Sequence, residues 1–353
     1  MPISTNPGAP DLASETWAHQ PSRSIQARAR VALLFLVGLI ALSAAHAQQI
    51  PNPGSRVITD AHNCYPYYEW WSDRIDRALS TGAPVAIEQD LAWYTDKTGK
   101  SWSIVTHGEP LSPSSPTMEH YFFDKVKPIV EQALKDGNKG NWPLITLNLD
   151  FKDNKPEHLA FILALLKKYQ GWLTTAPKTG DPAIAQPLDI KPILVLTGES
   201  DAQQKVFFDD LPHGDRVLLF GSIHTEGKDP KSKPEELSPD KASNYRRWWN
   251  NPWRVVEFGG QQHAGEWTPE KDSRLRDLVE RAHANNLWIR FYTLDGATEK
   301  ELSAGGWFHG YNFGSLEAAK KRWDAAIAAK VDYIASDEYE LLAQEIKTQQ
   351  QPK

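Results

Sequence analysis

The chain is nearly free of cysteine. Cys64 stands alone among 353 residues, so no intramolecular disulfide staples the fold, and stability must come from a large buried core. Cys64 has no CxxC partner, which leaves little basis for a thiolate metal site and favours a buried, inert thiol. Excess positive charge is also missing: the formal net charge of −6 argues against a nucleic-acid binder that works by broad phosphate neutralisation. It leaves room for a small phosphate compound held through a metal. No internal repeat and no low-complexity linker interrupts the sequence after Gln48. No apolar run reaches the roughly 20 residues of a membrane span.

The longest apolar run, Val31–Leu42, follows Arg28 and Arg30 and leads into Ala45–His46–Ala47. A basic start, a short apolar stretch and an A-x-A site predict a cleavable signal peptide over about residues 28–47. Residues 1–47 are therefore set aside as leader, residues 48–348 are expected to fold, and residues 349–353 to form a disordered tail. The expected destination is secretion or the periplasm.

Within the folding part, short β-rich runs alternate with helical patterns. Strands are expected at Arg56–Thr59, Val85–Asp90, Leu144–Leu149, Ile193–Thr197, Val217–Gly221, Arg254–Phe258, Trp288–Tyr292 and Val331–Ala335. A ninth run, Ser103–His107, is expected to pair near the second. Helices are expected at Glu69–Ser80, Met118–Asp136, Pro156–Tyr169, Pro269–Asn285 and Leu316–Ala329. The Pro-, Lys- and Ser-rich stretch 226–251 is expected to be a long loop. Eight strands alternating with helices imply parallel pairing through crossovers. The count and the length predict a single (β/α)8 TIM-type barrel. No glycine-rich loop follows the first strand, as a dinucleotide-binding sheet would require.

In such a barrel, polar residues at strand C-termini converge on one face. Glu88 and Asp90, two apart on one strand, point the same way and repel each other unless a divalent cation separates them. Asp150, on the neighbouring strand, can supply a third oxygen ligand, with Lys152 on its face. An all-oxygen set suggests one Mg²⁺ or Ca²⁺ ion. His62 and His107 close the first strand and the run after the second, where imidazoles can serve as nucleophile or base and as general acid, or as metal ligands.

The segments Asp60–Ala61–His62–Asn63, Ala78–Ala83 leading into Glu88–Gln89–Asp90, and Thr106–His107–Gly108–Glu109–Pro110 resemble the PLC-like phosphodiesterase superfamily. That superfamily includes glycerophosphodiester phosphodiesterases and spider-venom-type phospholipases D. Leu147–Lys152 is similar to the hydrophobic-D-x-K form of the phospholipase D branch. Leu287–Thr293 and Ile334–Glu338 resemble the seventh strand and the last strand and turn. The resemblance spans residues ~56–347 by motif order and is dense only in 56–152. It implies a metal-dependent phosphoric diester hydrolase with His62 and His107 catalytic and Glu88, Asp90 and Asp150 on the cation. Lys152, Asn63 and Tyr292 would then contact a small phosphodiester or phospholipid substrate, with transient membrane-surface contact and no nucleic acid. Asn63 stands where glycerophosphodiesterases usually carry Arg, a departure that bears on specificity; the His–Asn form is similar to a fungal mitochondrial-inheritance family.

Two rival expectations come from other classes. One is a carbohydrate- or lipid-binding barrel presenting Trp248, Trp249, Trp253, Trp267, Trp307 and Tyr311 as a platform. The other is a glycoside hydrolase using Glu199, Glu257 or Glu266, whose chemistry needs carboxylates on opposite sides of a bond. His224, His263 and His309 follow later strands and are expected at the surface or in structural roles.

Overall fold

The computed structural model describes residues 52–66, 71–225, 227–238 and 240–350. The predicted leader and signal peptide, and residues 351–353, lie outside these. No helix among the described residues is long and apolar enough to cross a membrane.

Among the described residues there are eleven strands: β1 (Ile58–Ala61), β2 (Val85–Thr95), β3 (Ser101–Val105), β4 (Ile145–Phe151), β5 (Ala176–Pro177), β6 (Ile193–Thr197), β7 (Arg216–Val217), β8 (Phe220–Ser222), β9 (Arg246–Pro252), β10 (Trp288–Tyr292) and β11 (Tyr333–Ser336). The main sheet runs β1-β11-β10-β9-β8-β6-β4-β2-β3, and β1 also pairs with β2, which closes the ring. Only β3 is antiparallel there, so nine strands less one leaves a closed parallel barrel of eight. The expected TIM-type barrel is the observed fold. β5 and β7 form a separate two-stranded piece.

Six longer helices surround it: α1 (Arg74–Ser80), α2 (Asp124–Asp136), α3 (Pro156–Lys168), α4 (Pro269–Ala284), α5 (Leu316–Ala328) and α6 (Tyr339–Gln350). α3 and α4 both start on proline, whose missing N–H costs nothing in the first turn. Thr268 caps α4 by accepting from the Lys271 N–H, and Ser315 caps α5 through Ala318. Glu69 and Trp70, the expected beginning of the first helix, lie outside the described residues.

Several boundaries differ from expectation. The sixth barrel strand is Arg246–Pro252, not Arg254–Phe258, where a short 3₁₀ turn stands instead. The last six residues of the expected loop 226–251 are thus barrel wall. The strand's sequence, RRWWNNP, lacks the aliphatic run that marks its neighbours, yet it obeys the strand period of two. Trp248 and Asn250 share one face, while Trp249 on the other packs among Leu275 and Leu278 of α4. On the adjoining β8, a Cβ at Gly221 would collide with the Tyr245 ring, so the close approach needs glycine. β2 continues to Thr95 and pairs back with β3, so the run expected at Ser103–His107 ends at Val105. α6 runs through Gln350, so Gln349 and Gln350 are helical and not tail.

Candidate active site

Parallel register brings the chemistry to one end of the barrel. Asp90 is paired with Asp150 across β2 and β4, two residues beyond Glu88, and Gln89 between them turns the other way to donate to the Cys64 and Glu88 carbonyls. Oxygens of Glu88, Asp90 and Asp150 all lie within 4.8 Å of one another. Glu88 and Asp90 are buried and Asp150 is exposed. Lys152 Nζ sits 2.9 Å from Asp90 Oδ2 and 2.8 Å from Asp150 Oδ2. Asp90 Oδ1 is buried and has no hydrogen-bond partner. Burial first, and then the Asp150 and Glu88 charges, push the Asp90 carboxyl well above its ordinary range. An orphaned oxygen in an all-carboxylate set is the environment that a hard cation relieves, so these residues fit Mg²⁺ or Ca²⁺.

Glu88 is held differently. Burial opposes its charge, but Arg290 and His62 outweigh that and hold its carboxyl down. Arg290 Nη2 lies 3.3 Å from Glu88 Oε1, and the guanidinium also binds Asp60 inside the barrel and Asn250 Oδ1 at 3.1 Å. The Asn63 backbone N–H donates to Glu88 Oε2 at 2.9 Å from a left-handed conformation (φ 51°) that asparagine tolerates better than most residues.

His62 is 5% exposed, so its ring is clamped rather than sealed. Nδ1 lies 3.0 Å from Asp337 Oδ1 and Nε2 lies 3.6 Å from Glu88 Oε2. Tyr292 stacks on the ring at 6.0 Å between centroids, and Tyr311 meets it edge-on at 5.3 Å. Burial alone would lower its pKa, but the carboxylates of Glu88 and Asp337 prevail and raise it to about 9. His107 is exposed, between Tyr65 at 5.8 Å and Phe308 at 5.7 Å. Desolvation and the Lys152 charge lower its pKa. Lys152 and Tyr292 therefore stand beside the acidic trio and His62 respectively, and the Asn63 amide lies 3.0 Å from His62 Nδ1.

Sequence reasoning missed the support beneath these groups. Asp337, just past β11, takes the Asn63 amide at 3.1 Å and the buried Arg74 guanidinium at 3.2 Å, as well as His62. Asp295, past β10, accepts the Asp337 backbone N–H and the Ser336 hydroxyl, each at 2.8 Å. Both follow strand C-termini, the same signal that found the earlier residues. Arg290, a lone charge within WIRFY, was legible as an oddity.

The rival sites are only partly dispersed: Glu199 lines a cavity together with Asp150 and Tyr292, and Tyr311 meets the His62 ring. Trp248, Trp249 and Trp253 are buried, so they are core and not a platform. Glu257 is buried against Arg322, Lys271 and Trp253, and Glu266 is on the surface, so neither faces a bond-cleaving cleft. Cys64 is buried and its thiol is pushed upward by burial. His263 and His309 are exposed, and His224 pairs with Asp201 on the surface.

No family model matches this chain. No curated protein matches it either. Among solved structures, the fold is similar to a glycerophosphoryl diester phosphodiesterase from Parabacteroides distasonis, at 14% identity and a TM-score of 0.42, over 86% of this chain and 89% of that one. It is similar to the 7,8-dihydropteroate synthase of Vibrio fischeri at 11% identity and a TM-score of 0.37, over 85% and 96%. A Plasmodium falciparum HPPK-DHPS mutant aligns at 8% identity and a TM-score of 0.41, over 85% and 49%.

Proposed function

We propose that this chain is an exported, metal-dependent phosphodiesterase. The observation that carries the reading is the partnerless Asp90 oxygen in a cluster of three carboxylates, with the His62 ring held 3.6 Å from the same cluster. Glu88, Asp90 and Asp150 would hold the cation, whose contribution is to neutralise the negative charge of the diester phosphate.

The chain's own residues supply the rest. Asp337 fixes the His62 ring by its Nδ1 edge, which leaves Nε2 facing the cluster. Environments displace the two imidazoles in opposite senses, His62 upward and His107 downward. One ring then keeps a proton while the other is free to take one, the complementary condition for paired acid–base work. Lys152 adds positive charge at the rim, and Tyr292 and Asn63 flank the reacting group. Export is proposed from the basic–apolar–A-x-A segment at residues 28–47.

Hydrolysis of bis(4-nitrophenyl) phosphate with Mg²⁺ or Ca²⁺, abolished by chelator, is the direct test. His62→Ala and His107→Ala are each expected to lower kcat/KM by about 10²–10⁴-fold while circular dichroism stays native. Full activity in both variants would sink the acid–base assignment.

A further inference from the structure

Among the described residues four arginines are buried: Arg74, Arg247, Arg290 and Arg322. Three of them meet a carboxylate. Arg74 lies 3.2 Å from Asp337, Arg290 binds Asp60 and Glu88, and Arg322 lies 2.9 Å from Glu257. Arg247, 6% exposed, meets no carboxylate among the described residues. Its Nη2 donates to the Gln186 carbonyl at 2.8 Å and to Asn244 Oδ1 at 3.0 Å, and its Nε donates to the Asn244 carbonyl at 3.4 Å. All three acceptors are uncharged, and Nη1 has no hydrogen-bond partner among the described residues. Burial, opposed by no anion, lowers the guanidinium pKa to about 10. A buried charge is ordinarily paired, so this one lacks what its three counterparts have.

Arg247 lines a cavity of about 250 Å³. Trp288 opens β10, Pro53 precedes β1 and residues 185–188 precede β6, so the cavity lies at the barrel end opposite the acidic trio. Most of its remaining wall is apolar: Pro53, Ala185, Pro187, Leu188 and Trp288. No lysine, histidine or second arginine lines it among the described residues.

We propose that this cavity is a second ligand site and takes a small monocarboxylate with an apolar body. The carboxylate bonds Arg247 Nη1, and the body lies against Trp288, Pro187 and Leu188. One guanidinium balances one negative charge, and a charge-assisted hydrogen bond forms where the cation now has none. A phosphate dianion would carry a second charge into a wall with no second cation. A neutral ligand would leave the guanidinium as it is. The volume falls just under the ~300–1,000 Å³ of drug-sized ligand sites, which suits a molecule of few heavy atoms.

The experiment titrates the protein calorimetrically with benzoate, with the neutral isostere benzamide and with inorganic phosphate. Benzoate should bind at least ~10-fold more tightly than benzamide, and excess phosphate should not displace it. Arg247→Met removes the cation and keeps the aliphatic stem, and should weaken benzoate at least ~10-fold. Ala185→Phe fills the cavity from a half-buried position, leaves the cation in place and should weaken benzoate as much. Thermal melts identify a variant that has lost its fold. A benzoate-soaked crystal of the wild type gives a reading that needs no variant, with the carboxylate expected on Arg247. Equal affinity for benzoate and benzamide, displacement by phosphate, unchanged binding in either folded variant, or benzoate seated only elsewhere would overturn the assignment.

Discussion

Glu338, one residue past Asp337, illustrates how far burial can move a single group. Its carboxyl is raised to about 8 by burial first and by Asp295 next, and Oε2 accepts the Gly296 N–H at 3.1 Å. The folded chain keeps a proton there that the unfolded chain releases. Its contribution to stability is therefore whole below the ordinary carboxyl value and is lost as pH climbs through about 8. Glu338→Gln, uncharged throughout, should melt with the wild type at ~pH 5 and above it at ~pH 9. Equal melting temperatures at the alkaline end would refute the assignment. At this scale the sequence was informative where two residues shared a strand face, as Glu88 and Asp90 do. It was silent where a contact joins distant elements: nothing local about Asp337 or Arg74 announces that they meet at Asn63 and His62.

Elements were legible in proportion to their aliphatic content. Val85–Asp90, Ile193–Thr197 and Trp288–Tyr292 lie within or coincide with observed strands. β9 escaped because arginines, tryptophans and asparagines fill it, and those residues usually mark a surface segment. Its tryptophans are buried because the neighbouring strands and α4 close over them. Trp248→Ala should accordingly cost about 3–5 kcal/mol in denaturant unfolding. Trp307, half-buried and edge-on to Trp71 at 5.4 Å, should cost clearly less on the same change. Matching costs would mean that β9 is not the load it is packed to be.

The closed ring sets the behaviour of the whole molecule. Strand alternation made the barrel readable, because seven crossovers between eight parallel strands leave few other ways to cover the sheet. Closure also brings the acidic trio, drawn from β2 and β4, onto the same rigid wall as β1 and β11, which carry His62 and Asp337. A cation bound there is bound by the native state alone. At a hundredfold excess over Kd it should stabilise folding by about 2.7 kcal/mol. Millimolar Mg²⁺ or Ca²⁺ should thus raise the wild-type Tm, and the rise should vanish in Asp90→Asn/Asp150→Asn. An identical rise in that double variant would place the ion elsewhere.

Lys152 gives the carboxylates a resident counter-ion. An arriving metal competes with a tethered ammonium that never diffuses away, so weakly attracting ions such as Na⁺ and K⁺ gain little by entering, while dications win the exchange. The ammonium, once displaced, is free to swing toward an anionic guest. Lys152→Met should consequently bind Ca²⁺ more tightly and phosphodiester more weakly, two titrations moving in opposite directions from one substitution.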